Sequence, residues 1–230
     1  MIASFKAHME ILPPAQKELW PRLKPASSLG MVLYGGTAIA LRLGHRRSID
    51  FDFFSDLPLD KRTLKSAFPF LEQATTLQEQ PDTLTVLINE GKNRKEHVKV
   101  SFFGNVTMGR VGNPETTEDG VLQVASLDDL MATKIKVVLQ RIEAKDYQDI
   151  AAMVRHDVSL ATGLAAARKM YGNDFQPSEA LKALVYFEGG DLQSMSEQDR
   201  KTLIQNVRDI SDLPPVEIAS HSLGLETQKV

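Results

Sequence analysis

Residues 35–54 read GGTAIALRLGHRRSIDFDFF, and this stretch sets the architecture. Just before it, the apolar run Met31 to Tyr34 predicts a short strand. Gly35-Gly36 then makes a tight turn, and Thr37 to Leu43 carries helix-favouring Ala and Leu up to Gly44, which suits the residue just past a helix end. From Ser48 to Phe54 carboxylates alternate with apolar side chains, the period of a strand rather than a helix. Asp50 and Asp52 therefore share one face, and Ile49, Phe51 and Phe53 are expected to mark the other as core.

Two carboxylates at i and i+2 of a strand lie about 7 Å apart at their Cα atoms and project the same way. Such a pair suits a hard cation, since Mg²⁺ prefers oxygen ligands and keeps positions open for substrate phosphates. Without a cation, like charges this close repel. Most D-x-D pairs are merely solvated, so the weight rests on the core-facing side of the strand and on the turn upstream. Gly35-Gly36-Thr37 offers unhindered backbone N–H groups at a helix start, where phosphate oxygens bind well; taken alone, the glycines read as an ordinary turn.

Outward from this centre, the first thirty residues read as helix interrupted by Pro13, Pro14, Pro21 and Pro25. Leu59 to Phe68 predicts a helix, and Leu71 to Gln80, Thr83 to Asn89 and His97 to Phe103 predict strands, with the hairpin connection at Asn89 to Glu96. From Ser126 onward only helices are expected: Leu127 to Ile142, Asp146 to Arg155, Leu160 to Tyr171, Ser178 to Phe187 and Glu197 to Ile210. The fold class is α+β, a small mixed sheet with helices followed by a helical C-terminal part. The expected division is 1–125 for the α/β core, 126–212 for a helical domain closing the cleft, and 213–230 for an extended tail.

The bulk properties bound the function. Of the 230 residues 42% are hydrophobic and 25% charged, the balance of a globular protein. No apolar run approaches the roughly 20 residues of a bilayer span, and the N-terminus MIASFKAHMEILPPAQ carries charges where a signal peptide is apolar, so no membrane partner and a cytoplasmic location are expected. Cysteine is absent, which excludes thiol catalysis and thiolate metal sites. A net charge of −3 argues against coating nucleic acid by electrostatics alone. Two basic clusters, Arg42 to Arg47 and Lys92 to Lys99, could contact a nucleotide or a short RNA segment, or be solvated loop charges.

The whole segment 35–54 is more specific than its parts. It resembles the AbiEii/AbiGii toxin family of nucleotidyltransferase-like proteins, whose signature is GGT-A-L followed by an R-S-x-D-x-D-F strand. The resemblance continues in LDDLMATKIK, residues 127–136, and QRIEAKDYQDI, residues 140–150. It implies a nucleotidyltransferase fold acting on a nucleoside triphosphate with Mg²⁺, an RNA acceptor, a cognate antitoxin and a part in abortive phage defence. Carried over residue by residue, Asp50 and Asp52 are metal ligands and catalytic residues. Gly35, Gly36, Thr37, Arg47 and Ser48 contact the nucleotide, and Lys134 and Asp146 are the catalytic residues of the later block.

That later block also makes physical sense by itself. On a continuing helix, Lys134, Arg141 and Lys145 fall within about 40° of one face. Leu127, Leu130, Met131 and Val138 border that side, so Lys134 either gains an anion partner, a nucleotide phosphate or Asp52, or snorkels to water. Asp146 is favoured over Asp149 for function, with Asp149 expected to pair with a neighbouring Arg. Ser126 and Asp129 have the spacing of a capping box, although the usual partner is Glu or Gln. His45 reads as a helix-end residue, and the other histidines show no metal spacing.

One departure bears on the rate. Nucleotidyltransferases often add a third carboxylate from a neighbouring strand, and on the strand ending at Phe103 that place is held by Ser101. Either two carboxylates and the triphosphate hold the metal, or Glu90 or Glu96 reaches in, or the site binds nucleotide with little turnover. The last option makes the chain a catalytically weak, nucleotide-binding interaction protein.

Overall fold

The computed structural model describes residues 3–90 and 96–225. The middle of the expected hairpin connection, with Lys92, Arg94 and Lys95 of the second basic cluster, and the last five residues of the expected tail lie outside the described residues. Contacts divide the chain into two compact units, one of residues 1–109, 113–125 and 221–230, the other of residues 110–112 and 126–220.

The first unit is built on a mixed sheet. Its strands are β1 (Ser4–Phe5), β2 (Val32–Tyr34), β3 (Asp50–Phe54), β4 (Thr75–Gln80), β5 (Thr83–Glu90), β6 (Glu96–Phe103), β7 (Glu115–Thr117) and β8 (Gln123–Val124), in the order β1-β7-β8-β2-β3-β6-β5-β4. The helices are α1 (Pro14–Leu19), α2 (Pro25–Ser28), α3 (Gly35–Leu43) and α4 (Lys61–Ala67). β1, β7 and β8 went unread in the sequence because two or three residues are too short to display a period of two. Residues 71–73, expected as the start of a strand, belong to a 3₁₀ turn that begins at Pro69.

Strand β3 is central. It pairs antiparallel with β2 (Tyr34 opposite Asp52) and parallel with β6 (Asp50 opposite Lys99, Asp52 opposite Ser101). Phe51 and Phe53 are fully buried and stack into a ladder with Phe102 and Phe68, at centroid distances of 6.5, 5.5 and 5.4 Å. Ile49 departs from the expectation: it lies before the strand begins and is 57% exposed. The alternation that governs β3 does not extend to a residue outside its ladder.

Helix α3 ends as expected at Gly44 in the left-handed region, where the Gly44 N–H bonds the Ala40 carbonyl at 2.8 Å. Arg42, counted in the first basic cluster, is absorbed by the fold. Its guanidinium donates to the Ala125 and Val124 carbonyls at 2.9 and 3.1 Å, pairs with Glu115 and lies over the Phe5 ring. Residues 213–219 carry no helix or strand. Residues 221–225 return to the sheet unit, where Leu223 is buried, its N–H donates to Asp56 at 2.8 Å, and Leu225 exchanges two hydrogen bonds with the Gln123 side chain.

The second unit is helical: α5 (Leu127–Val138), α6 (Ala144–Arg155), α7 (Leu160–Tyr171), α8 (Pro177–Val185) and α9 (Glu197–Arg208). Ser126 caps α5 by accepting from the Asp129 N–H at 3.1 Å and donates to the Asp129 carboxylate at 2.6 Å, which also accepts from the Val111 and Gly112 N–H groups at 2.7 and 3.2 Å. Helix α5 stops at Val138 rather than running to Ile142, so Lys134 and Arg141 do not share one continuous helix.

Gly163 is where α7 meets α5: a Cβ there would lie 2.2 Å from Met131 Cγ and 3.1 Å from Ile135 Cδ1. Alanine gains up to about 1 kcal/mol of helix propensity, whereas overpacking a filled core costs about 1–3 kcal/mol. Gly163→Ala is therefore expected to lower the urea midpoint, and a variant as stable as the parent would mean that Met131 yields freely.

Candidate active site

On β3, Asp50, Asp52 and Phe54 are half-exposed while Phe51 and Phe53 are buried, so the two carboxylates stand on the face away from the phenylalanine ladder. Lys99, Ser101 and Phe103 stand beside them on β6. Lys99 Nζ lies 2.9 Å from Asp50 Oδ2, with about a third of each side chain open to solvent. Ser101 is buried at 3% exposure directly opposite Asp52, where a third carboxylate was sought.

The glycine turn lies against this face. Gly35 has φ of +75°, and a Cβ on it would fall 2.8 Å from Asp52 Oδ2. Both facts select glycine: the left-handed backbone disfavours a side chain, and the carboxylate occupies the space. The Tyr34 side chain, just before α3, makes no capping hydrogen bond. The first N–H groups of a helix have no partner within it, which makes a helix start a place where phosphate oxygens bind.

The hydroxyls assigned to the nucleotide have another occupation. Thr37 Oγ1 bonds Ser48 Oγ at 2.7 Å and donates to the Asp50 carbonyl. Thr37 and Ser48 are 2% and 7% exposed, so they tie the start of α3 to the start of β3. Backbone groups of Gly35, Gly36 and Thr37 stay consistent with phosphate contact; the two side chains act by holding the turn in place. Arg47 is exposed on the connection before β3, and Arg46 donates to its carbonyl at 3.0 Å.

Of the hairpin carboxylates weighed as a third ligand, Glu96 accepts from the Ala15 N–H at 3.3 Å, and the Glu90 side chain lies outside the described residues. Among the described residues no three His, Asp or Glu side chains cluster to hold a metal. The donors nevertheless fit Mg²⁺: two hard carboxylates on one face, beside a glycine where a Cβ would collide with the Asp52 carboxylate. A separate cavity of about 800 Å³ lies at the far end of β2 and β3, lined by Met31, Ser55, Asp56 and Leu64 among others, and contains neither Asp50 nor Asp52.

Lys134 and Asp146 come together within the helical unit. Lys134 Nζ is 2.8 Å from Asp146 Oδ1 and 2.9 Å from Asp149 Oδ2, and all three side chains are buried. Arg141 forks onto Asp146 through Nε and Nη2 at 2.8 and 3.1 Å. The partner of Lys134 is thus a pair of carboxylates one helix turn apart on α6, neither water nor Asp52. Arg141 reaches Asp146 because the 139–143 connection brings it back over the first turn of α6. Lys145 pairs with Glu143 at 2.7 Å.

Burial pushes the Asp146 carboxyl up, but the Arg141 hydrogen bond and the Lys134 ammonium outweigh it and hold the group below the usual carboxylate range. A depressed folded-state pKa contributes stability that is complete above the unfolded value of about 3.9 and is lost as pH falls through the folded one. Removing the lysine strands two buried carboxylates, so Lys134→Met should cost about 3–5 kcal/mol at pH 7. Asp146→Asn should flatten the loss of stability with acid below about pH 4. An unaltered melting curve for Lys134→Met would overturn the brace. For the turn, Gly35→Ala is expected to cost at least about 1 kcal/mol from its left-handed backbone alone, read as a lower denaturation midpoint.

The chain is 33% identical over 181 residues to an uncharacterized protein of Aquifex aeolicus (strain VF5), covering 75% of this chain and 83% of that one. Its fold is similar to that of MenT4, a nucleotidyltransferase toxin of Mycobacterium tuberculosis H37Rv, with a TM-score of 0.55 at 13% identity over 83% of this chain and 82% of that chain. No described helix is long and apolar enough to cross a membrane. Residues 22–219 match the family described as nucleotidyl transferase AbiEii toxin of type IV toxin–antitoxin systems, and the chain belongs to that family of nucleotidyltransferases.

Proposed function

We propose that this protein transfers a nucleoside monophosphate from a nucleoside triphosphate to the end of an RNA, with Mg²⁺, as the toxin of a pair whose antitoxin restrains it, in the cytoplasm and in defence against phage. The observation that carries the reading is the Asp50/Asp52 face with Gly35 pressed against Asp52, its Cβ position 2.8 Å from the carboxylate. A side-chain-free turn that lets the backbone approach paired carboxylates this closely suits a phosphate ligand.

Asp50 and Asp52 would hold the metal. When bound, Mg²⁺ neutralises charge on the phosphates and polarises them toward attack. The backbone of Gly35, Gly36 and Thr37 would orient phosphate oxygens at the start of α3, and the buried Thr37–Ser48 bond fixes that turn relative to Asp50. An acceptor hydroxyl oxygen bonds to the α-phosphorus, the α–β anhydride bond breaks and pyrophosphate leaves. The hydroxyl proton passes to solvent, because Ser101 lacks a basic oxygen to take it. General-base help is worth about 10²–10⁴-fold, so slow transfer follows from Ser101. The same residue favours a second reading, in which the site binds Mg²⁺-nucleotide tightly and acts chiefly through a partner.

The test uses labelled nucleoside triphosphates, Mg²⁺ and total RNA. Wild type should label RNA, and Asp50→Asn and Asp52→Asn should each lose about 100-fold or more, a metal ligand being worth several kcal/mol at the transition state. Their melting temperatures should stay near wild type. Asp-dependent nucleotide binding with no transfer to any acceptor selects the second reading, and transfer that survives in both variants sinks the assignment of the site. In the same assay Lys134→Met is expected to lose transfer together with stability.

A further inference from the structure

We propose that Lys99 is a phosphate-binding residue of this site, parked on Asp50 until a metal-bound triphosphate displaces it. The inference rests on the reading of Asp50 and Asp52 as a metal platform and assigns a residue which that reading leaves out.

The parallel β3–β6 register sets Lys99 directly opposite Asp50 and Ser101 opposite Asp52. On the far side of β6, Leu87 and Thr85 of β5 lie opposite Lys99 and Ser101. Where nucleotidyltransferases often present a third anion, the face presents one cation and one neutral hydroxyl beside two carboxylates. The Lys99 ammonium sits 2.9 Å from Asp50 Oδ2, and so meets the oxygen that a divalent ion would need.

Exposure makes the pair reversible. Lys99 and Asp50 side chains are 39% and 31% exposed, the range in which an ion pair adds little to stability and is readily exchanged. The buried Lys134 clamp at 6% side-chain exposure is the contrast within this protein. Lysine is a compact point charge on a flexible stem, suited to leaving a carboxylate for a nearby phosphate oxygen. A divalent ion arriving at Asp50 would release the ammonium beside the incoming triphosphate, whose negative charge, added to that of two carboxylates, exceeds what one divalent ion balances. Arg42, by contrast, is locked to Ala125, Val124 and Glu115 and is not available for that role.

The experiment compares wild type, Lys99→Met, Lys99→Arg and Asp52→Asn in three measurements: binding of Mn²⁺ alone by paramagnetic relaxation, binding of a non-hydrolysable nucleoside triphosphate with Mg²⁺ by calorimetry, and thermal melting. For Lys99→Met, Mn²⁺ alone should bind several-fold tighter because its competitor is gone. The triphosphate should bind about tenfold weaker, the worth of a charge-assisted hydrogen bond, and Lys99→Arg should recover most of that. Melting should not change. Weaker Mn²⁺ binding or undiminished triphosphate binding in Lys99→Met overturns the role of Lys99. Wild type that binds neither probe, or binds both unchanged in Asp52→Asn, instead overturns the underlying assignment of the metal platform.

Discussion

The side-chain alternation of β3, locked between β2 and β6, is the constraint on which the rest of the sheet unit depends. A strand has two faces and a period of two, so burying Phe51 and Phe53 obliges Asp50 and Asp52 to stand on the opposite face. A slip of one residue would bury two carboxylates and expose two phenylalanines, which is far more costly than any alternative pairing could offset. The phenylalanine ladder through Phe102 and Phe68 therefore fixes the register, and the register places Lys99 and Ser101 beside the carboxylates.

Around that strand, polar residues divide by burial rather than by type. Thr37 and Ser48 lie within a motif that suggests ligand contact, yet their hydroxyls are buried on each other and on the Asp50 backbone. Arg42, in the same motif, is held by Glu115 of β7 and the carbonyls at the end of β8. Asp50 and Asp52 stay half-exposed on the open face, Asp50 paired with Lys99, and Gly35 lies against Asp52. The same sorting separates the two ion pairs: Lys134 in its carboxylate clamp stabilises helices, whereas Lys99 in its open pair can change partners.

Much of the site was legible because its elements are local. Strand, glycine turn, helix and strand follow one another within about two dozen residues, and each has its own signal: the alternation of β3, the C′ glycine at Gly44, the helix-forming run between. The position of Ser101 was legible too, because the alternation on β6 is as regular as that on β3. Ile49 was misread because alternation was carried beyond the ladder that enforces it. Helix α5 was read too long, since apolar spacing continues through Leu139 and Ile142 although both are exposed past its end. Lys99 was read only as part of a basic cluster, Lys92 to Lys99, open to nucleotide contact or to solvent, although its place two residues before Ser101 already put it on the face of the carboxylates.

What the sequence by itself determined is periodic and short-range: the faces of β3 and β6, the glycine turn, the helical second half and the family to which the chain belongs. Tertiary structure alone decided which charges meet. Pairing of Asp50 with Lys99 depends on two strands 49 residues apart lying parallel and in one register, and the Lys134 clamp depends on α5 ending early enough for α6 to fold back. A side chain's neighbours along the chain follow from backbone geometry, but its partner across space follows from how buried apolar surfaces dock. That docking is a collective property of the core which no local pattern encodes.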